Sequence, residues 1–244
     1  MVPMSLEEAA GLQNVSEKSF RDEVLDDLAI FETTFFRCEF VNCIFDGGRI
    51  GLSTFHDCQF IGCSFRDAKL QSCRFSGEEE TQRCTWSRCD LSNAVLLKCD
   101  VSHNVFGDCL GFMLRLEDCD AREAQLKLDV QRQINHRHIM GGFSCVRTKL
   151  QDADLNGLNL ESSTFEFCDL RGANLTGCNL SSASFAGSNL NGTRLTRAVL
   201  TGASIAHAQI DELDLTEALT TDDLTISRDQ QEKVLAQFRI RVLN

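Results

Sequence analysis

Large apolar residues recur every fifth position along most of this chain. The first run is Phe20, Leu25, Ile30, Phe35, Phe40, Phe45, Ile50, Phe55, Phe60, Phe65, Leu70 and Phe75. It resumes one residue out of phase with Trp86, Leu91, Leu96, Val101, Phe106, Gly111, Leu116, Ala121 and Leu126, of which only Gly111 and Ala121 are weak members. A third run extends unbroken from Leu150 to Leu215. Two positions before each centre sits a small residue, usually Cys, Ala, Ser or Thr, and the residue between is often Asp or Asn, as in Ala153-Asp154-Leu155. A period of five matches neither a 3.6-residue helix nor the two-residue alternation of a strand. It fits a coil with a corner every five residues, in which the centre and the small residue point inward and the other three face water. Same-face residues should then recur every 20 positions, as Phe20, Phe40 and Phe60 do, and Phe35, Phe55 and Phe75.

This pattern resembles the pentapeptide repeat family, A-(D/N)-L-x-x, over roughly residues 18 to 220. The resemblance implies an all-β fold, a right-handed quadrilateral β-helix with 20 residues per coil. At ~4.8 Å between stacked backbones, about nine coils make a rod of roughly 40 Å. Such a solenoid is held by neighbour-to-neighbour contacts and needs caps at its open ends. Residues 1–17 are read as an N-terminal cap, with Ser5-Leu6-Glu7-Glu8 as a capping box opening a short helix. Residues 18–220 are read as the β-helix. Residues 221–244 form a capping and dimerisation segment: a helix with Val234, Leu235 and Phe238 on one face, then a short strand through Ile240 and Val242. These five residues are the expected interface of a homodimer that joins two rods end to end.

Two interruptions break the period. The first leaves Glu78, Glu79, Glu80, Thr81, Gln82 and Arg83 outside the repeat, an expected loop over 78–83. The second spans about 129 to 147, with its loop placed at 129–142 and carrying Gln133, Asn135, His136, Arg137 and His138. Loops that interrupt a rigid scaffold are natural contact elements. The His136/His138 pair has no nearby carboxylate or cysteine pattern, so it is read as part of a solvated loop and no metal site is assigned.

Composition narrows the picture. The 244 residues include 24 Lys and Arg against 36 Asp and Glu, a formal charge of −12. Direct nucleic-acid binding is disfavoured, because neutralising phosphates needs Lys and Arg. The acids crowd toward the C-terminal part: Asp152, Asp154, Asp169, Asp211, Glu212, Asp214, Glu217, Asp222 and Asp223. No apolar run is long enough for a transmembrane helix, and the N-terminus lacks the pattern of a secretory signal. Twelve of the 13 cysteines occupy the small inward slot, Cys145 being the exception. They read as reduced, space-filling thiols of a cytoplasmic protein. No catalytic constellation or phosphate loop is present, so neither an enzyme nor a cofactor is expected.

The finer arrangement resembles the Qnr-type topoisomerase-protecting branch, with similar features in MfpA-like proteins. It is carried by Phe60-Ile61-Gly62-Cys63-Ser64-Phe65, the six-residue insertion, Arg83-Cys84-Thr85-Trp86-Ser87-Arg88-Cys89-Asp90-Leu91, the larger second insertion and the tail from Val234 to Leu243. The resemblance implies a DNA-mimicking dimer that engages DNA gyrase or topoisomerase IV and relieves poisoning by quinolones or natural toxins. Both loops would then touch the enzyme, and the acidic residues would form the mimic surface. Such a dimer would carry twice −12 along roughly 90 Å, about one charge per 4 Å against one per ~1.7 Å in duplex DNA. The rival reading is a protein-interaction scaffold or bacterial effector built on the same repeats.

Overall fold

The five-residue period folds into a solenoid in which each chain centre sits above its counterpart one coil earlier. In the computed structural model, which describes residues 4–25, 29–77, 82–134, 137–139 and 142–241, the coils have four faces. The first face stacks Val15, Phe35 and Phe55 in parallel register and continues through bridges beside Phe75, Val101 and Ala121 to Leu150 and Leu170. The second stacks Phe20, Phe40, Phe60, Trp86, Phe106 and Leu126. The fourth stacks Ile30, Ile50, Leu70, Leu96, Leu116, Cys145 and Phe165. These give three-, six- and seven-stranded parallel sheets. The third face, through Leu25, Phe45, Phe65 and Leu91, is joined by single bridges.

Register follows from what the inward side chains can do. Rings one coil apart on the same face lie parallel: Phe40 on Phe60 at 4.9 Å and 7°, Phe60 on Trp86 at 4.1 Å and 16°, Phe55 on Phe75 at 4.8 Å and 8°. Rings on neighbouring faces meet edge-on, as Phe55 and Phe60 do at 61°. Both geometries suit the ring quadrupole. A slip of one residue would turn this whole set outward. The N-terminal half is therefore an aromatic column, and the third run continues it chiefly with leucines, all nearly inaccessible.

The corners carry a conformational demand. The residue two after a centre takes a left-handed φ in coil after coil, among them Glu17 at 52°, Asp57 at 55° and Ser182 at 57°. Glycine meets it at Gly62, φ 64°, where a Cβ would also lie 2.7 Å from the Asn42 side-chain oxygen. Non-glycine residues accept the strain where the corner N–H is held by a carbonyl of the next coil, as at Glu17, whose N–H reaches Phe36 O at 2.9 Å, Arg37, whose N–H reaches His56 O at 2.8 Å, and Ser182, whose N–H reaches Thr201 O at 2.9 Å.

Both ends are closed by polar side chains as well as apolar ones. Helix α1 (Leu6–Ala10) opens with the expected capping box between Ser5 and Glu8, and buries Leu6 and Ala9 on the first coil. The ladder itself already begins at Asn14–Ser16, four residues ahead of the periodic segment read from the sequence. At the other end a 3-10 turn, Arg228–Gln230, precedes helix α2 (Gln231–Gln237). Gln230 Nε2 donates to the carbonyls of Ile205 and Ala208, both at 2.8 Å. Gln237 donates to Leu213 O at 2.9 Å and accepts from Leu215 N at 2.8 Å. These amides satisfy sheet groups that would otherwise be an open edge.

Trp86 is the largest fully buried side chain, and its indole N–H donates to Asn104 Oδ1 at 3.0 Å. Asn104 in turn donates to Phe75 O at 2.8 Å and Ser102 O at 3.0 Å. Replacing Asn104 by Ala strands these groups in the core. We expect Asn104→Ala to lose about 1–3 kcal/mol of stability in guanidinium unfolding followed by Trp86 fluorescence; an unchanged midpoint would refute this role.

Candidate interaction surface

A filled core leaves only the exterior for function, and three features depart from the plain repeat. At the first insertion the chain is pinched shut by an antiparallel bridge between Ser76 and Arg83, with Gly77 N donating to Gln82 O. Gln82 and Arg83 thus form the base of this loop; Glu78, Glu79, Glu80 and Thr81 lie outside the described residues. The second insertion is shorter than the expected 129–142 segment. Asp129 ends a strand, Gln125–Asp129, and Val130 is buried, because together with Leu128 it packs over Gly111, the centre that lacks a side chain. An antiparallel hairpin follows, Arg132–Ile134 with Arg137–Ile139, pairing Gln133 with His138 and Ile134 with Arg137. Asn135 and His136 lie outside the described residues. Phe143 and Cys145 return to the core, and Cys145 takes a centre position beside Leu116 and Phe165.

The third feature is the C-terminal end. Val234 is only 6% exposed because it packs onto its own rod, so it serves as cap within the chain and is corrected as an interface residue. Leu235 is half-buried. Phe238 and Ile240 are exposed, together with Leu219, which sequence reading passed over because it falls outside the period. The expected strand after the helix is absent at Ile240 and Arg241: Arg239 adopts a left-handed φ of 60° and Ile240 N folds back onto Leu235 O. Val242 lies outside the described residues.

The acids are unevenly free. Asp169 is held by Arg171 at 2.6 Å, which keeps its carboxyl below the ordinary range, and Asp211 is lowered likewise by Lys233. Asp154 accepts from Asn174 at 2.8 Å, and Arg194 follows in the same row. The mid-rod surface is therefore mixed. Exposed acids gather around the last coil instead: Glu212, Asp214, Glu217, Asp222 and Asp223, with Asp152 exposed further up. A second acidic group is hidden in the sequence by the six-residue phase shift. On the third face Asp46, Asp67, Asp90 and Asp129 line one groove of about 450 Å³ with Arg66, Leu110, Phe112 and Gln131.

A family model for pentapeptide repeats matches residues 38–77, 144–181 and 178–216, in eight copies. These stretches of the chain are pentapeptide repeats. The fold is that of QnrB1, a plasmid-mediated fluoroquinolone resistance protein. One trypsin-treated form of QnrB1 superposes with a TM-score of 0.73 at 20% identity, covering 93% of this chain and 99% of that one. Full-length QnrB1 gives 0.61 at 21% identity, covering 89% and 100%. No curated protein matches in sequence. No described helix is long and apolar enough to cross a membrane.

In these repeats the cysteines do more than fill space. Each thiol in the small inward slot points at the carbonyl of a centre in the preceding coil: Cys63 to Phe40 O at 3.3 Å, Cys119 to Leu96 O at 3.3 Å, Cys178 to Leu155 O at 3.0 Å. Ser188 and Thr193 fill the same slot and bond likewise, to Phe165 O at 2.6 Å and Leu170 O at 2.8 Å. The shared property is a small donor, which explains why Cys, Ser and Thr interchange there. All 13 thiols are free and buried. Burial pushes Cys178 up to about 11 and Cys168 up to about 12.

A thiol whose folded pKa lies above its unfolded value favours the fold only while both states are protonated. Stability should therefore hold below pH ~9 and decline as pH rises toward ~11, where the unfolded chain ionises first. Urea midpoints from pH 7 to 11 would test this, with flat midpoints as the contrary result. The native thiols should also resist alkylation until the rod unfolds.

Proposed function

We propose that this protein protects a type II topoisomerase, DNA gyrase and/or topoisomerase IV, from poisons such as quinolones or a natural toxin by occupying the enzyme's duplex-binding groove. The observation that carries this reading is the QnrB1 fold across 93% of the chain. The charge of −12 supports it: a stiff anionic rod is steered toward a basic groove built for DNA. The rod acts as a non-catalytic mimic that binds no nucleic acid itself, and its setting is the reducing cytoplasm, in keeping with its free thiols. The two insertions, from Glu78 to Arg83 and around Gln133 to His138, are the proposed enzyme contacts, and the acids around the last coil are the proposed mimic surface.

Phe238 and Ile240 sit at the C-terminal end, both exposed. Two rods joined through them would place the acidic last coils at the middle of a longer rod. Leu235 contributes its half-buried edge to the same seam.

Micromolar protein should restore supercoiling by gyrase in the presence of a fluoroquinolone and inhibit it at higher dose. Activity unmoved in both directions would favour the scaffold reading. Phe238→Asp should halve the mass seen in sedimentation without altering the circular dichroism of the rod; an unchanged mass would exclude the end-to-end dimer.

A further inference from the structure

We propose that the N-terminal stretch of the fourth face is a docking surface for an acidic polypeptide segment of a protein partner, one that carries large apolar side chains among its carboxylates. Four consecutive strands build it, Ala29–Phe31, Arg49–Gly51, Lys69–Gln71 and Val95–Leu97, paired in parallel register. Arg49 and Lys69 are direct register partners, and both are exposed. Beside them stand Phe31, 51% exposed, and Leu52, 60% exposed, with half-buried Leu97 further along the rod. Lys98 is exposed at the corner that follows Leu97. Cations and apolar side chains thus share one side of a rod whose net charge is −12.

Three observations specify the occupant. The first is charge. Like charges placed opposite one another on neighbouring strands repel, so the stacking of Arg49 on Lys69 is unfavourable in the free rod. Lys69 and Lys98 enter no ion pair among the described residues, and the acids at the flanking corners, Glu32 and Asp67, pair with neither. The acids of the next coil are already engaged: Arg147 holds Glu117 at 2.7 Å and Asp118 at 2.6 Å. The second observation is Leu52, which takes a left-handed φ of 51°. That conformation is costly for a bulky side chain, and the next two coils place Ser72 and Lys98 at the same corner. Neither backbone preference nor packing in the rod favours a leucine there. The third is Phe31, whose ring lies across Gly51, where a Cβ would run into it; it is seated on the sheet and still shows half its surface. A bare phosphate would satisfy the cations and leave Phe31 and Leu52 in water. A DNA duplex meets the repulsive field of the whole rod. An acidic segment with leucine-like side chains answers both the cations and the apolar surface.

The test uses the full chain and a short capped, fluorescein-labelled peptide of alternating glutamate and leucine, read by anisotropy at ~150 mM salt, where long-range attraction is largely screened. Lys69→Gln with Lys98→Gln should weaken binding about tenfold. Arg194→Gln with Arg197→Gln makes the same charge change at exposed positions on the second face and should leave binding within about twofold. Leu52→Asn should weaken binding about tenfold as well. Asparagine accepts a left-handed corner more readily than leucine, so this variant separates lost docking from lost folding. A peptide with glutamine in place of glutamate should not bind, and an unlabelled DNA duplex should not displace the glutamate peptide. Equal losses from both cation pairs would mean that only the overall charge of the rod is at work. That result, unchanged binding by Leu52→Asn, undiminished binding of the glutamine peptide, displacement by the duplex, or no binding of the glutamate peptide would overturn the proposal. The probe contains no topoisomerase, so the outcome is independent of the protective role.

Discussion

Everything in this molecule depends on one match: the spacing of inward side chains along the chain equals the spacing at which parallel coils can share backbone hydrogen bonds. When Phe40 lies over Phe60 and Phe60 over Trp86, each amide finds a carbonyl one coil away, as Gln59 N finds Cys38 O at 2.9 Å. Aromatic stacking and the ladder thus enforce the same register. The consequence is a tightly filled interior among the described residues. An internal void there, lined by Leu91, Leu96, Phe106, Leu128 and Phe143 among others, measures about 10 Å³, the size of a single water and wholly apolar. Function has to be written on the outside.

The outside is written in a different grammar. Inward positions tolerate little, whereas the three outward positions of each repeat are free to vary. The chain uses them to place carboxylates, and the coil decides which carboxylates become neighbours. Where a base stands two residues on, as with Asp120 and Arg122 at 2.8 Å or Asp169 and Arg171 at 2.6 Å, the charge is locally balanced and contributes little to any field. Where no base follows, as at Asp222 and Asp223, the charge remains available. A rod of net charge −12 is therefore patterned, with acidic stretches at the last coil and on one side of its middle.

The insertions show how a rigid scaffold admits irregularity. The first is closed by a bridge from Ser76 to Arg83, so the coil above resumes with its register simply shifted by six. The second costs more. It coincides with Gly111, a centre without a side chain, and the rod makes up the missing volume with Leu128 and Val130 before the hairpin leaves. A register irregularity between Phe106 and Cys109 lies in the same region. A weak centre in the repeat and the departure of a loop are here one event, because an underfilled coil can spare its backbone pairing.

The period of five, the phase shift before Trp86 and the small-residue slot are local and repetitive, so the four-faced solenoid and its stacked columns were legible in the residues alone. The capping box at Ser5 and Glu8 was legible for the same reason: it is a short-range pattern. What lay beyond reach were properties that need the third dimension. The thiols read as filler because their partners, carbonyls 23 or 29 residues back, are invisible until the coils stack. The left-handed corners had a signal in the glycines two after several centres, Gly62 and Gly172 among them, but most corners use other residues. Val234 and Phe238 look alike on a helical wheel, and only packing on the last coil sends one inward and leaves the other exposed. The third-face groove gathers aspartates that no spacing rule connects, since the insertion shifts the repeat between them. Sequence determines a repeating fold because each repeat restates the same burial problem; tertiary structure decides the surface because neighbours there are chosen by the coil, not by the chain.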